Sequence, residues 1–350
     1  MTMSQTEPRE SADAWLGLDV GGANIKAAHE GGMARAIPFE LWKRPDDLPN
    51  ALATLFALFP RFDRLALTMT AELCDCYETK AEGVVSVLDA VVSASDGRPV
   101  CVWTIDASFR DVSAIRDRPA LAAASNWLAL AEVAARLIPE GPSLLIDIGS
   151  TTADLIPMAD GRARAIGRTD TVRLATGELV YAGVRRTPVC ALATELRLRG
   201  VATGVAAELF ASTLDVYLTL GDTPPDPNDL STADGRPATR EAARDRLARM
   251  VGADRDGFSP DDALALARSA DEALLARLES AARRACDASV GPARAVVVAG
   301  SGEFLARRLA HRLIGPDAPI VSLRDAWGPV TSIAAPAHAL VILARERARP

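Results

Sequence analysis

One seven-residue pattern occurs twice in this chain: Leu18-Asp19-Val20-Gly21-Gly22-Ala23-Asn24 near the start and Ile146-Asp147-Ile148-Gly149-Ser150-Thr151-Thr152 near the middle. In each copy an apolar strand runs into an aspartate, a small-residue turn and a second strand. One such turn is ordinary hairpin material, but two in register imply a duplicated domain. Around the first copy, residues 14–20, 25–28 and 33–41 predict a three-stranded meander. A helix from Pro45 through Phe59 follows, then a strand at 64–70, a helix at 79–94, a strand at 99–105 and a helix at 119–138. Around the second copy, strands are expected at 143–148, 153–158 and 164–168, with Asp160-Gly161 as a hairpin turn. A third junction ends the strand 294–299 at Gly300-Ser301-Gly302 and opens a helix at Glu303. The boundary falls near Glu140-Gly141-Pro142. A first lobe therefore covers 14–140 and a second 141–329, with a helical and loop insertion at about 191–290. A helix over about 330–350 returns to the first lobe. Within the insertion, 191–220 reads as helical and 221–237 as an exposed loop rich in Pro, Asp and Gly. Helices follow at 239–251 and 260–289.

With 350 residues, 49% of them hydrophobic and 24% charged, the chain can bury two cores. Its net charge of −7 and pI near 5.2 argue against nucleic acid as a partner, since phosphate neutralisation needs a basic stripe. The segment 119–138 is interrupted by Ser125, Asn126, Glu132 and Arg136, so it is a core helix and not a membrane span. The polar first ten residues are no secretory leader. Five cysteines without framework spacing point to a reducing cytoplasm, and the scattered His29, His311 and His338 argue against a zinc site. Only Lys26, Lys43 and Lys80 are lysines in this Arg-rich chain.

A small-residue turn presents successive backbone N–H groups as a concave anion site. Gly21, Gly22 and Asn24 in one copy, and Gly149, Ser150, Thr151 and Thr152 in the other, are short enough for phosphate oxygens to approach. Gly300, Ser301 and Gly302 add a turn at a helix N-terminus. The acids preceding the duplicated turns, Asp19 and Asp147, are candidate Mg²⁺ ligands, directly or through water. There is no P-loop and no Gly-x-Gly-x-x-Gly after the first strand. Lys26, beside the first turn, is a candidate phosphate contact or an ordinary exposed strand lysine. Polar residues after the strand 64–70 stand where open α/β sheets line their ligand crevice. There Glu72 and Asp75 are candidates for a general base or metal ligand, or for helix caps, and Cys74 and Cys76 for small crevice-lining thiols. Arg185 and Arg186 occupy a turn whose guanidinium forks suit diphosphate or carboxylate, or simply water. Glu178 and Tyr181 lie just upstream, and Arg345, Arg347 and Arg349 read as solvated.

The three glycine junctions resemble those of the acetate and sugar kinase/Hsc70/actin superfamily, and the second domain resembles hydantoinase/oxoprolinase-related proteins. A closer resemblance is carried by Asp19 to Lys26, Thr68 to Cys76 with Thr79-Lys80-Ala81-Glu82-Gly83, Ala123-Ala124-Ser125-Asn126-Trp127, Asp147 to Asp154 and Gly177 to Pro188. These segments resemble the (aminomethyl)furan synthase-like family of tetrahydromethanopterin-linked C1-transfer proteins, from about residue 15 to 192 and again near 294. The stretch 195–290 carries no matching motif. The resemblance implies an α/β fold of two duplicated actin-like/ribonuclease H-like lobes with a cleft between them. It also implies a cytoplasmic transferase of methanofuran or methylofuran biosynthesis. The family reaction joins (aminomethyl)furanmethanol diphosphate to the phenol oxygen of γ-glutamyl-tyramine, or of γ-glutamyl-tyrosine in a bacterial pathway, and releases diphosphate.

On that reading, Mg²⁺ near Asp19 and Asp147 and the Gly21-Gly22 and Gly149-Ser150-Thr151 turns neutralise the diphosphate. Glu72 or Asp75 takes the phenol proton, and Arg185 and Arg186 bind diphosphate or the glutamyl carboxylate. The Gly300 turn either binds adenosine, as in kinases, or serves as scaffold. ATP is not expected as a cofactor. The partners are small-molecule substrates, with no nucleic acid and no membrane, and a homo-oligomer is compatible with the sequence. The rival reading is an ATP-dependent small-molecule kinase or hydantoinase/oxoprolinase-type ATPase that uses the same turns for ATP. A non-catalytic filament, chaperone or regulator is a third, without a helix-turn-helix or peptide-binding domain to support it.

Overall fold

Trp15–Val20 (β1) is buried along its whole length, as a strand without polar alternation must be when its sheet is covered on both faces. The computed structural model describes residues 13–347. Around β1 run β2 (Asn24–His29), β3 (Ala34–Pro38), α1 (Leu48–Phe56), β4 (Arg64–Met69) and α2 (Lys80–Ala94), then β5 (Val100–Trp103), β6 (Phe109–Asp111), α3 (Val112–Asp117) and α4 (Asn126–Ala134). The sheet order is β3-β2-β1-β4-β5-β6. β1 is antiparallel to β2 and parallel to β4, and β4 is parallel to β5. Leu16 and Leu18 of β1 share a core with Leu52 of α1 and with Val84 and Leu88 of α2.

The second copy repeats this plan. β7 (Pro142–Ile148), β8 (Ala153–Ala159), β9 (Arg162–Ala163), α5 (Asp170–Thr176) and β10 (Leu179–Val180) lead to a separate hairpin of β11 (Glu195–Leu198) and β12 (Val201–Gly204). Next come α6 (Thr213–Leu220), α7 (Arg240–Arg249), α8 (Pro260–Asp287), β13 (Ala295–Ala299), α9 (Glu303–Ile314), β14 (Ile320–Ser322) and α10 (Leu323–Trp327). The sheet order is β10-β8-β7-β13-β14, with β9 on β8. Again the first two strands are antiparallel, and β7, β13 and β14 are parallel. Two sheets with one strand order and one pattern of directions are the duplicated actin-like, ribonuclease H-like architecture. The chain then turns through α11 (Pro329–Ser332) into α12 (Ala335–Arg347), which packs on β1, β2 and β4. A Cβ on Gly17 would stand 2.0 Å from the Ala337 carbonyl oxygen, so glycine permits this crossing. Contacts divide the chain into one unit up to Val133 together with Trp327 onward, and a second of Ala134–Ala326.

Several local expectations are corrected. The expected helix over 191–220 is a hairpin and only one helix, α6. Leu196 alternates with charged neighbours into the core while Arg199 (φ 50°) and Gly200 (φ 81°) make the left-handed turn. The helix expected over 119–138 is broken at Ala124 (φ 47°), where Ser125 Oγ donates to the Trp103 and Ala122 carbonyls at 3.1 and 3.2 Å. The strand expected at 164–168 does not form, and only the two residues before it pair, as β9. α5 follows it, capped by Thr169 and closed by left-handed Gly177. In α12, Arg347 is not merely solvated. Its guanidinium lies 5.6 Å from the ring centres of both Trp103 and Phe109, and Arg345 is 3.7 Å from Glu30. Arg349 lies outside the described residues. No described helix is long and apolar enough to cross a membrane.

Candidate functional site

In the second unit, three separate segments meet at one turn. The Gly149 N–H donates to the Thr152 carbonyl at 2.8 Å, closing the turn between β7 and β8. A strap formed by Gly183–Thr187 crosses it. The Val184 N–H donates to Gly149 O at 3.0 Å, and the N–H groups of Arg185 and Arg186 donate to Ser150 O at 3.1 and 2.9 Å. The crossing is close, since a Cβ on Gly183 would lie 2.4 Å from Gly149 O. From the other side the Gly302 N–H donates to Ile148 O at 2.8 Å, and a Cβ on Gly300 would meet Ile148 O at 2.2 Å and Asp147 Oδ1 at 2.4 Å. Asp147, Gly149–Thr152, Arg185, Arg186 and Gly300–Gly302 are therefore neighbours. Asp147, Ser150 and Thr151 are half-buried, and Arg186 and Ser301 are exposed.

Asp147 has a charged neighbour across the strand pair that sequence reading overlooked. Asp147 stands opposite Asp154 in the β7–β8 register. Arg173, 2% exposed, donates to Asp154 Oδ1 at 2.5 Å and to the Glu178 carbonyl at 3.3 Å. The Glu178 carboxylate is occupied by the Ile166 and Gly167 N–H groups at 2.6 and 2.7 Å, so it organises the backbone. Tyr181 is 54% exposed. Arg185 is ion-paired with Asp229 of the loop between α6 and α7. Burial alone would raise the Asp229 carboxyl, but hydrogen bonds from Arg185 and the Ser231 N–H hold it below the ordinary carboxylate value.

The first unit carries the same turn with a different cover. The Gly21 N–H donates to Asn24 O at 3.0 Å, and the Thr70 N–H to Val20 O at 2.9 Å. A Cβ on Gly22 would lie 2.7 Å from Cys74 Sγ, so the segment after β4 folds over the glycines. Asp19, 3% exposed, stands opposite Lys26 on β2 and Thr68 on β4. Thr68 and Ser125 share a buried hydroxyl hydrogen bond of 2.9 Å. Glu72 is 1% exposed, and its backbone packs on Gly83 of α2, where a Cβ would stand 2.5 Å from Glu72 O. Asp75 is exposed. The cap of α2 is Thr79, which accepts the Glu82 N–H at 3.1 Å.

Among the described residues no group of three or more His, Cys, Asp or Glu is placed to hold a metal. Each turn offers one aspartate of its own strand end. That donor set fits Mg²⁺, which keeps several waters and takes substrate phosphate oxygens beside one or two carboxylates.

These features place the chain in a family. The hydantoinase/oxoprolinase model matches residues 63–321, and the chain belongs to that family. Within it, the (4-{4-[2-(gamma-L-glutamylamino)ethyl]phenoxymethyl}furan-2-yl)methanamine synthase of Methanocaldococcus jannaschii is 33% identical over 339 residues, 95% of this chain and 98% of its own. The synthase of the same name from Methanococcus vannielii is 29% identical over 57% of this chain and 89% of its own. The protein belongs with these synthases and is an enzyme. Among solved structures, a nucleotide-free acetone carboxylase superposes with a TM-score of 0.56 at 12% identity, over 94% of this chain and 70% of that one, which bears on the fold alone.

Proposed function

We propose that this enzyme is a transferase that makes the aryl ether of a methanofuran-type cofactor. The carrying observation is the identity to the M. jannaschii synthase, which spans 98% of that protein. The relative's name describes a phenoxymethyl link between a γ-glutamyl-tyramine unit and an aminomethylfuran. In the proposed reaction, (aminomethyl)furanmethanol diphosphate loses diphosphate from its furfuryl carbon, and the C–O electron pair leaves with the diphosphate. The phenol oxygen of γ-glutamyl-tyramine or γ-glutamyl-tyrosine bonds to that carbon and gives up its proton.

The convergence of the Gly149, Gly183 and Gly300 segments supports binding of the departing diphosphate in the second unit. Backbone N–H groups and Arg185 and Arg186 would face charge that grows as the bond breaks, which is where preorganised dipoles act most strongly. Mg²⁺ held by Asp147 would add positive charge to the leaving group, and Asp19 is the matching candidate ligand in the first unit. Glu72 and Asp75 are the proposed proton acceptors, and Lys26 a phosphate contact. Because the furan ring stabilises a furfuryl cation, leaving-group binding would supply much of the catalysis.

Mass spectrometry of the protein with the diphosphate, Mg²⁺ and either glutamylated phenol, without ATP, tests the reading. The expected result is an ether product with stoichiometric diphosphate. No ether, with ADP formed once ATP is added, would replace it by a kinase or ATPase.

A further inference from the structure

The loop between α6 and α7, residues 221–239, lies outside the duplicated plan and carries no motif of the family. It is nevertheless ordered by its own bonds. The Asp226 N–H donates to Ala238 O at 2.9 Å and the Ala238 N–H to Asp229 O at 2.9 Å. Asp229 Oδ1 accepts the Ser231 N–H at 3.0 Å, which aims its other oxygen at Arg185. The backbone of Arg185 is fixed on both sides, donating to Ser150 O and accepting the Leu214 N–H at 3.2 Å. Its long side chain would otherwise sample many rotamers above the anion turn. The pair is partly open, with Arg185 32% and Asp229 20% exposed, so the remaining guanidinium N–H groups can still meet a ligand.

We infer that Asp229 is a positioning residue, by which the insertion loop holds the Arg185 guanidinium in place to receive the diphosphate leaving group. This rests on the proposed function and extends it to a residue outside the anion turns. Two effects of Asp229 oppose each other, which makes the inference testable. As a bare negative charge near an anion site it would weaken diphosphate binding, so removing it would tighten binding. As the residue that orders Arg185 it strengthens binding, so removing it releases a side chain that the ligand must then order itself.

The test is calorimetric titration of inorganic pyrophosphate, in Mg²⁺ buffer, into wild type, Asp229→Asn, Asp229→Glu, Arg185→Ala and the double variant R185A/D229N. The thermal transition of each is recorded to confirm folding. Expected is a loss of affinity of roughly 3- to 10-fold for D229N, a larger loss for R185A and partial recovery for D229E. In the R185A background, D229N should add nothing, because its effect passes through Arg185. Unchanged or tighter binding by D229N overturns the inference, as does an undiminished D229N effect without Arg185. Wild type that fails to bind pyrophosphate overturns the diphosphate reading itself, a separate outcome read from a separate arm.

Discussion

The two copies of the strand-Asp-turn pattern share a backbone and differ in charge. In each, the N–H two residues after the aspartate closes on the carbonyl three residues further along, from Gly21 to Asn24 and from Gly149 to Thr152. In each, the register sets a residue seven positions later opposite the aspartate. In the first unit that residue is Lys26, so the acid faces a cation. In the second it is Asp154, whose ion-pair partner is the buried Arg173 of α5. The register thus sets a second acid across from Asp147 and a lysine across from Asp19, a difference that would favour Asp147 as the ligand of a divalent cation. The covers differ too. Over the first turn lies a segment with a buried glutamate and a thiol, and over the second a strap with two arginines. Duplication preserved hydrogen-bond geometry, while the chemistry diverged in the side chains beside it.

The largest effect should come from removing the answering cation. Arg173→Met takes the buried guanidinium away from half-buried Asp154 and Asp170 and should cost about 3–5 kcal/mol, as loss of one member of a buried ion pair does. Lys26→Met, at the half-buried counterpart, should cost far less. Denaturant unfolding of both variants checks the difference, and equal losses would dissolve the contrast between the faces.

The aspartates themselves should separate next. Asp147→Asn is expected to lower the rate of diphosphate release on the order of 10²–10³-fold, the scale of a lost electrostatic contact at developing charge, and to weaken the Mg²⁺ dependence. Asp19→Asn should leave that dependence in place. Steady-state kinetics over a Mg²⁺ series distinguishes them.

A smaller pair probes the covers. Alanine at Gly183 or Gly83 places a Cβ 2.4 or 2.5 Å from a backbone oxygen of the neighbouring segment. Each should destabilise by about 1–3 kcal/mol. Gly149→Ala meets only Thr152 O, at 3.6 Å, and should stay close to wild type in thermal melts.

The smallest effect concerns one thiol in each unit, half-buried Cys101 and buried Cys286. Burial pushes the Cys101 thiol up to about 12 and the Cys286 thiol up to about 11. Unfolded thiols ionise near about 8.5. The folded chain therefore holds these protons over a range in which the unfolded chain has released them. Their contribution is complete below the unfolded value, falls as pH rises above it and is spent at the folded value. Stability measured at pH 8 and 10 should decline, and replacing both cysteines by alanine should flatten the decline.

The repeated turns were legible in the sequence because small residues and aspartates leave a local signature, and both sheets followed from them. Missing were the residues whose meaning depends on register or on distant chain. Asp154 meets Asp147 only through strand pairing, and Arg173 reaches Asp154 only from a short helix, although Thr169 and Gly177 signal that helix. Asp229 reaches Arg185 across 44 positions. Thr68 and Ser125 are 57 positions apart, and the left-handed Ala124, itself buried, has no local cue. The hairpin β11–β12 has only the short period-two pair Leu196 and Leu198 as its signal, and Arg199 is an unusual residue for its left-handed turn.

The closing helix α12 gives the molecule an order of assembly. The second unit is one uninterrupted stretch of chain, whereas the first holds β1 against a helix more than three hundred positions downstream. During synthesis the second unit can complete its core while β1 still waits for α12. The sheet around β1 is therefore completed after the second unit. Damage confined to residues 335–347 would appear as misfolding around Trp15–Val20.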